Sequence, residues 1–404
     1  MSIQKKIVII GPAHPLRGGL ASYDERLAKE FITNGYETTI YTFSLQYPNF
    51  LFPGTTQYSS EPAPPGLNIK VCINSINPKN WITIGKELRD LRPDIIIVRY
   101  WLPFMGPCLG TILRKVKKNK FSKVVCIADN VIPHERRIGD KLFTKYFLKP
   151  IDAFITMSEK VMLDLKRFAP QKPARYVLHP LYDNFGPAVS QEEARKKLGL
   201  PPYARIILFF GFIRKYKGLD ILLDAMPILD ELVPNTISSS EYQLPAIKAN
   251  SGKIKLLIAG EFYEDPKPYL EQIERLKLGD HLYMRTGFIP DSEVRYYLCA
   301  ADCVVQPYRE ATQSGVTPLA YYYEKPMVVT NVGGLPTLVP NGRTGFVAEP
   351  NAQSLAQKIL LYFGYGPFYF SANIREERKK FSWMNIVNTV LELSETNQKQ
   401  EESK

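Results

Sequence analysis

The chain has 404 residues, of which 45% are hydrophobic and 23% charged, and it carries a formal net charge of +12. That length exceeds what one ordinary hydrophobic core accommodates, so it predicts two domains. No apolar run approaches the roughly 20 residues of a membrane helix, which argues against a transmembrane protein. The apolar run after Lys6 is too short for a secretory signal, and we expect a cytoplasmic protein with free thiols.

Apolar runs typical of buried strands alternate with helical stretches along the first half of the chain. The runs are KIVIIG, TTIYTF, DIIIVRYW, KVVCIAD and AFITMS. This alternation predicts a mostly parallel sheet covered by helices. The pattern is interrupted by residues 176–190, which are rich in proline, glycine and turn formers, and we place the domain boundary there.

The first predicted strand is followed by a glycine-rich turn, GPAHPLRGG at residues 11–19, and then by an amphipathic helix. In open α/β sheets, such a strand, turn and helix present backbone N–H groups to a phosphate. The turn lacks the G-x-G-x-x-G spacing of a dinucleotide site, so the spacing alone leaves its ligand open.

The positive charge is concentrated between Met105 and Pro150, where eleven bases outnumber three acids and aromatic residues are interleaved. A basic stretch of this kind can meet an anionic membrane, a nucleic acid or only solvent. The aromatic residues favour the membrane interface over a nucleic-acid duplex. We therefore name residues 113–149 as a candidate peripheral contact with the inner face of an anionic membrane, and we expect no nucleic-acid partner.

The second half repeats the strand and helix pattern with RIILFFGF, KIKLLIAGE, LYMRTGF, CVVQPY and KPMVVTNVGG. Its first strand ends at Gly211, and a basic loop with Arg214 and Lys217 precedes the next helix. Two cations and a helix N-terminus converging on one point favour an anion, and a diphosphate is the obvious candidate.

A longer motif follows at residues 303–350. It combines a strand, an acid, a small-residue turn, a helix and two glycine pairs, carried by Pro307, Glu310, Ser314, Gly315, Pro326, Val328, Gly333, Gly334, Gly342, Gly345 and Phe346. This pattern resembles the donor-binding half of the group 1 retaining glycosyltransferases of GT-B fold, which use nucleotide sugars. GFIRKYKG, IAGE, TGFIPDSEV, RGGLASYDERLA, DNVIPHE and FSW extend the likeness over almost the whole chain.

The resemblance implies an α/β protein of GT-B fold, with two Rossmann-like domains facing a central cleft. Residues 1–183 would form the acceptor-binding domain and residues 184–375 the donor-binding domain. Residues 376–404 would provide a C-terminal helix that crosses back to the first domain.

The resemblance also implies the site. Arg214 and Lys217 would hold the donor's diphosphate, and Glu310 would lie near the transferred sugar. The remaining donor contacts would come from Gly18, Gly19, Gly211, Gly287, Phe288, Ile289, Gln313, Ser314, Gly315, Val316 and Thr317. Because the chain has no Asp-x-Asp pair, we expect neither a metal nor another cofactor.

Two departures from the family pattern affect these expectations. The second glutamate of the pattern falls near Pro318 or Leu319, whose side chains accept no hydrogen bond, so ribose recognition must differ. The side chains of Gln313, Ser314 and Thr317 could compensate, although capping of a helix is the alternative for Ser314.

The second departure lies on the acceptor side, where Asp129 replaces the usual histidine. Asp129 could act on the sugar electrostatically or serve as the base for the acceptor hydroxyl. Arg17 is expected at the rim, where it faces anionic groups of the donor or the acceptor, and His134 is expected to contact the acceptor or to orient its loop. The predicted function is sugar transfer with retention to a glycan or lipid-linked hydroxyl, and the alternative is a non-catalytic GT-B-like protein that binds a membrane or partner through its basic segment.

Overall fold

A computed structural model of the chain describes residues 4–48, 56–132, 139–235, 253–311 and 314–401. The chain divides into two compact units, the first comprising Met1–Pro180 with Ser382–Lys404 and the second Leu181–Phe381. The first unit therefore ends at Pro180 and resumes at Ser382. The sequence-based prediction ends the first domain at residue 183 and begins the returning C-terminal segment at residue 376.

The first unit contains one parallel sheet with the strand order β3-β2-β1-β4-β5-β6-β7. Its strands are β1 (Lys6–Ile10), β2 (Glu37–Leu45), β3 (Asn68–Asn74), β4 (Ile95–Tyr100), β5 (Lys123–Ala128), β6 (Ala153–Thr156) and β7 (Ala174–Tyr176). The helices between them are α1 (Gly19–Thr33), α2 (Pro78–Leu91), α3 (Gly106–Val116), α4 (Asp140–Leu148) and α5 (Glu159–Phe168).

The second unit contains a parallel sheet with the order β10-β9-β8-β11-β12-β13. Its strands are β8 (Arg205–Phe210), β9 (Ile254–Ala259), β10 (Leu282–Arg285), β11 (Cys303–Gln306), β12 (Met327–Thr330) and β13 (Gly345–Ala348). Its helices are α6 (Gln191–Leu198), α7 (Leu219–Asn235), α8 (Lys267–Arg275), α9 (Val294–Ala300), α10 (Val316–Tyr322), α11 (Leu335–Leu338), α12 (Ala352–Tyr365) and α13 (Pro367–Glu377).

The central strands are predominantly apolar because helices cover both faces of each sheet. All six residues of β4 are buried, and β1 pairs with it in the register Ile7↔Ile95 to Ile10↔Val98. Since every strand pair is parallel, the carboxyl ends of each sheet share one edge. The glycine-rich turn and the basic loop each leave their sheet at that edge.

The last helix, α14 (Trp383–Glu401), belongs to the first unit and packs on α1, β5 and β6. Its first residue anchors it, because the Trp383 ring lies 4.9 Å from the Tyr23 ring and 5.0 Å from the Arg26 guanidinium. The expected return of the C-terminal helix to the first unit is confirmed, as is the α/β architecture with two parallel sheets.

The five cysteines are free thiols, and four of them are buried. In the part of the chain that the structure describes, no helix combines the length and the apolar character needed to span a membrane.

Candidate active site

The basic loop of the second unit leaves β8 at Gly211 and enters α7 after Gly218. Both glycines have positive φ angles, 93° and 67°. A Cβ on Gly218 would lie 2.0 Å from the carbonyl oxygen of Pro307, and a Cβ on Gly260 would lie 2.2 Å from that of Gly211. The ends of β8, β9 and β11 therefore approach each other so closely that only glycine fits at these positions.

Lys217 is the buried cation of this loop. Its side chain folds back over Gly211, where a Cβ would lie 2.9 Å from Nζ, and Nζ is 5.9 Å from the Tyr308 ring. Among the described residues, Nζ has no hydrogen-bond or ion-pair partner. Burial, with a contribution from the nearby charge of Arg214, lowers the pKa of Lys217 to about 8. An ammonium group held in this way is suited to an anionic ligand.

Arg214 is exposed, and the segment Glu261–Glu264 after β9 positions it. Its guanidinium lies 5.2 Å from the Tyr263 ring, which stacks on Phe212 at 4.0 Å. The neighbouring Lys215 N–H donates to Glu264 Oε2 at 2.8 Å. The sequence reasoning missed this support, and the only available signal was the pair of aromatic residues that follows IAGE.

The turn after β11 borders the same loop. The carbonyl oxygen of Tyr216 accepts from the N–H of Arg309 at 2.7 Å and from that of Glu310 at 3.4 Å. The Arg309 guanidinium also pairs with Asp220 in the first turn of α7. The structure thus brings Lys217, Arg214 and the exposed Glu310 to one end of the second sheet, as the sequence predicts.

The hydroxyls of Ser314 and Thr317 bond to a side chain within the protein. Both are buried, and Gln306 Oε1 accepts from Ser314 Oγ at 2.6 Å and from Thr317 Oγ1 at 3.2 Å. Ser314 Oγ in turn accepts from the N–H of Val316 at 3.2 Å, so that N–H is also engaged. These internal bonds favour the capping role of Ser314, and contact of these groups with the donor stays a prediction. Gln313 lies outside the described residues.

The other predicted donor contacts of this unit are backbone positions. Gly315 is exposed at the start of α10, beside the ring of Tyr182. Residues 287–289 follow β10, the outer strand, and β9 lies between this strand and β8. Gly287 is exposed there, whereas the side chain of Ile289 is buried and that of Phe288 half-buried.

In the first unit, the glycine-rich turn leads directly into α1. Gly18 precedes the helix with a φ of 100°, and Gly19 is exposed at its first position. Arg17 is tied to the neighbouring loop, since its N–H donates to the Gln57 carbonyl at 3.1 Å and its Nε to the Thr56 carbonyl at 2.7 Å. The guanidinium of Arg17 is therefore partly engaged by protein atoms.

Asp129 occupies a buried ion pair that the sequence reasoning missed. Its two carboxylate oxygens accept from Nε and Nη2 of Arg99 at 2.5 and 2.6 Å, and Arg99 Nη1 lies 3.5 Å from Asp24 Oδ1. Burial opposes the charge of Arg99, but the two aspartates outweigh it and raise its pKa. Burial raises the pKa of Asp24.

This arrangement argues against one of the two roles considered for Asp129, that of the base. Its side chain is 5% exposed and held by two charge-assisted hydrogen bonds, so it is not available as the base for an acceptor hydroxyl. The only sequence signal was an arginine inside an otherwise apolar strand. His134 lies outside the described residues, and within the described ranges no group of three or more His, Cys, Asp or Glu could hold a metal ion.

The sequence of this chain is similar to those of known glycosyltransferases. Residues 204–363 match the family described as Glycosyl transferases group 1. The chain is 29% identical over 193 residues to D-inositol 3-phosphate glycosyltransferase of Streptomyces avermitilis, covering 47% of this chain and 39% of that protein. It is 24% identical to the putative teichuronic acid biosynthesis glycosyltransferase TuaC of Bacillus subtilis, covering 68% and 62%. The matched parts span 39% to 63% of the first four curated relatives.

Solved structures share the fold over nearly the whole chain. HepE of Anabaena, in complex with UDP and glucose, superposes with a TM-score of 0.66 at 16% identity, covering 96% of this chain and 99% of that one. Sucrose-phosphate synthase from Thermosynechococcus elongatus gives 0.66 at 17% identity, covering 99% and 100%. These likenesses confirm the GT-B fold.

Proposed function

We propose that this chain, whose residues 204–363 match the family described as Glycosyl transferases group 1, transfers a sugar from a nucleotide-sugar donor to an acceptor hydroxyl. The structural likeness to HepE, which was solved with UDP-glucose, supports a nucleotide sugar as the donor. The observation that carries the proposal is Lys217, a buried ammonium without a hydrogen-bond or ion-pair partner among the described residues, beside the backbone of Glu310.

The charges of this loop suit the chemistry of the transfer. The bond between sugar C1 and the phosphate oxygen breaks, and its electron pair leaves with the nucleoside diphosphate. The acceptor oxygen bonds to C1, and its proton passes to the departing phosphate. Lys217 and Arg214 would stabilise the charge that develops on the diphosphate, each by roughly 3 kcal/mol, or about a hundredfold in rate.

The remaining roles follow from this assignment. Glu310 is proposed to contact the transferred sugar, and the family resemblance supports retention of the anomeric configuration. Because two side-chain cations already serve the diphosphate, we propose that transfer needs no divalent metal. The acceptor is proposed to be a glycan or lipid-linked hydroxyl, and residues 113–149 to meet an anionic membrane.

A panel of UDP-, GDP- and ADP-sugars tests the proposal by following release of the nucleoside diphosphate. The wild-type chain should turn over one donor in the presence of EDTA, and Arg214→Ala should lower that rate about a hundredfold. Arg275→Ala, at the far end of α8, removes the same charge and should leave the rate unchanged. Unaltered turnover in Arg214→Ala would refute the assignment of the diphosphate site.

The anomeric configuration of the product, read by NMR, tests retention separately. A chain without transfer or donor hydrolysis that is still stabilised thermally by a nucleoside diphosphate would instead be the non-catalytic binding protein.

A further inference from the structure

The helix α4 exposes an apolar row beside a basic row. Leu142 is 69% exposed, and Phe143 and Tyr146 are each 37% exposed. Leu142 and Tyr146 are four residues apart and so lie along one line of the helix. Lys141, Lys145 and Lys149 are also exposed and spaced by four, at the helix and its C-cap. The outer face therefore carries two adjacent rows, one apolar and one cationic.

The opposite face of α4 anchors it to the first unit. The Phe147 ring stacks on Tyr100 at 4.0 Å, and the Thr144 hydroxyl lies 3.1 Å from that of Tyr100. On α3, Gly106 has no side chain to keep the helices apart, because its Cβ would lie 2.5 Å from the carbonyl oxygen of Phe143. The buried face of α4 thus provides the contacts that stabilise the fold, and the apolar side chains of the outer row are exposed to water.

Positive charge continues beyond the C-terminal end of α4. The Arg114 guanidinium lies 3.5 Å from the Tyr146 ring centroid, at the edge of the apolar row. Arg114 and Lys149 also line a cavity of about 460 Å³ together with Lys117, Lys172 and the acid Asp152. Four cations and one acid give this cavity a formal excess of three positive charges, although Lys117 pairs with Asp152 at 2.8 Å and Lys172 donates to three backbone carbonyls. The basic row of α4 therefore leads into a concave cationic surface.

We propose that this surface, α4 with the adjoining cavity, docks on an anionic phospholipid bilayer. The apolar row enters the boundary between headgroups and acyl chains, and the lysine row and the cavity face the lipid phosphates. This narrows the membrane contact of the proposed function, on which it rests, to a helix of nine residues. A nucleic-acid duplex would match the charge, but its phosphate surface offers no apolar layer for Leu142 and Phe143.

Co-sedimentation with vesicles tests the basic row. The full chain should bind vesicles of phosphatidylcholine with phosphatidylglycerol, in a salt-dependent manner, and should not bind phosphatidylcholine alone. The variant K141Q/K145Q/K149Q should bind about fivefold more weakly per lysine, on the order of a hundredfold in all. The matched control K29Q/K79Q/K86Q, on α1 and α2, should bind like the wild type. Equal loss in both variants would show a general charge effect and overturn the proposal.

The apolar row is tested by a pair of exposed leucines. Leu142→Ala should weaken binding to the same vesicles roughly tenfold, whereas Leu163→Ala on α5, where the leucine is 60% exposed, should not. Unchanged binding by Leu142→Ala, or displacement of the chain from the vesicles by duplex DNA at equal phosphate concentration, would contradict membrane docking.

Thermal shift with nucleoside diphosphates is read on the same samples, which separates the two proposals. A wild-type chain that binds anionic vesicles but is stabilised by no nucleotide would support docking and refute the donor site. A chain that is stabilised by a nucleotide but does not bind anionic vesicles would support the donor site and refute docking.

Discussion

Raising the pH through 8 should weaken the binding of a nucleoside diphosphate, because Lys217 must be charged to meet it. Burial and the charge of Arg214 lower the pKa of Lys217 to about 8, and a bound diphosphate would raise it again. The affinity is therefore full below the pKa of the free protein and is lost as the pH rises through it. About nine-tenths of Lys217 is charged at pH 7 and about one-tenth at pH 9, which corresponds to a loss near tenfold, or roughly 1.4 kcal/mol.

Isothermal titration with UDP, GDP and ADP from about pH 7 to about pH 9 measures this loss. In Lys217→Arg the guanidinium keeps its charge over that range, so the affinity should stay constant with pH. In Lys217→Met the affinity should be low and also independent of pH. A wild-type affinity that does not change with pH, together with full affinity in Lys217→Met, would refute the reasoning.

Further outcomes follow from other contacts. Tyr263→Ala should lower nucleotide affinity about fivefold by titration, because Arg214 loses its aromatic support, whereas Tyr263→Phe keeps the ring and the affinity. Asp129→Asn should cost roughly 3 kcal/mol in denaturant unfolding, since it breaks the buried pair with Arg99, and Asp90→Asn in an exposed pair should leave the midpoint unchanged. Burial lowers the pKa of His179 from 6.5 to about 4. The free energy of unfolding should therefore fall by up to roughly 3 kcal/mol as the pH drops from 6.5 to about 4. In His179→Gln the free energy of unfolding should depend less on pH over this range.

The central strands could be predicted from the sequence, whereas three of the four outer strands could not. β1, β4, β5, β8 and β9 are predominantly apolar, with Arg99 and Lys255 as internal exceptions, because both faces of a central parallel strand are buried. The sequence reasoning did not identify the outer strands β3, β7 and β13, but it did identify the outer strand β10 from LYMRTGF. In β3 the sequence NIKVCIN mixes polar and apolar residues, since one edge of the strand faces solvent and most of its residues are not buried.

The basic loop could be predicted because its signal is local. Gly211, Arg214 and Lys217 follow one strand within a few residues, and the loop's partner at Glu310 has its own sequence motif. The ion pair of Arg99 with Asp129 could not be predicted, because it joins the ends of neighbouring strands and shows only in three dimensions. For the same reason, the sequence could not show that the hydroxyls of Ser314 and Thr317 donate to Gln306 Oε1.

A structure of the chain with its nucleoside diphosphate bound addresses the diphosphate site most directly. The β-phosphate oxygens should lie within hydrogen-bond distance of Lys217 Nζ and the Arg214 guanidinium, at the carboxyl end of β8. A nucleotide bound with its phosphates away from both side chains would contradict the assignment of the leaving group to this loop.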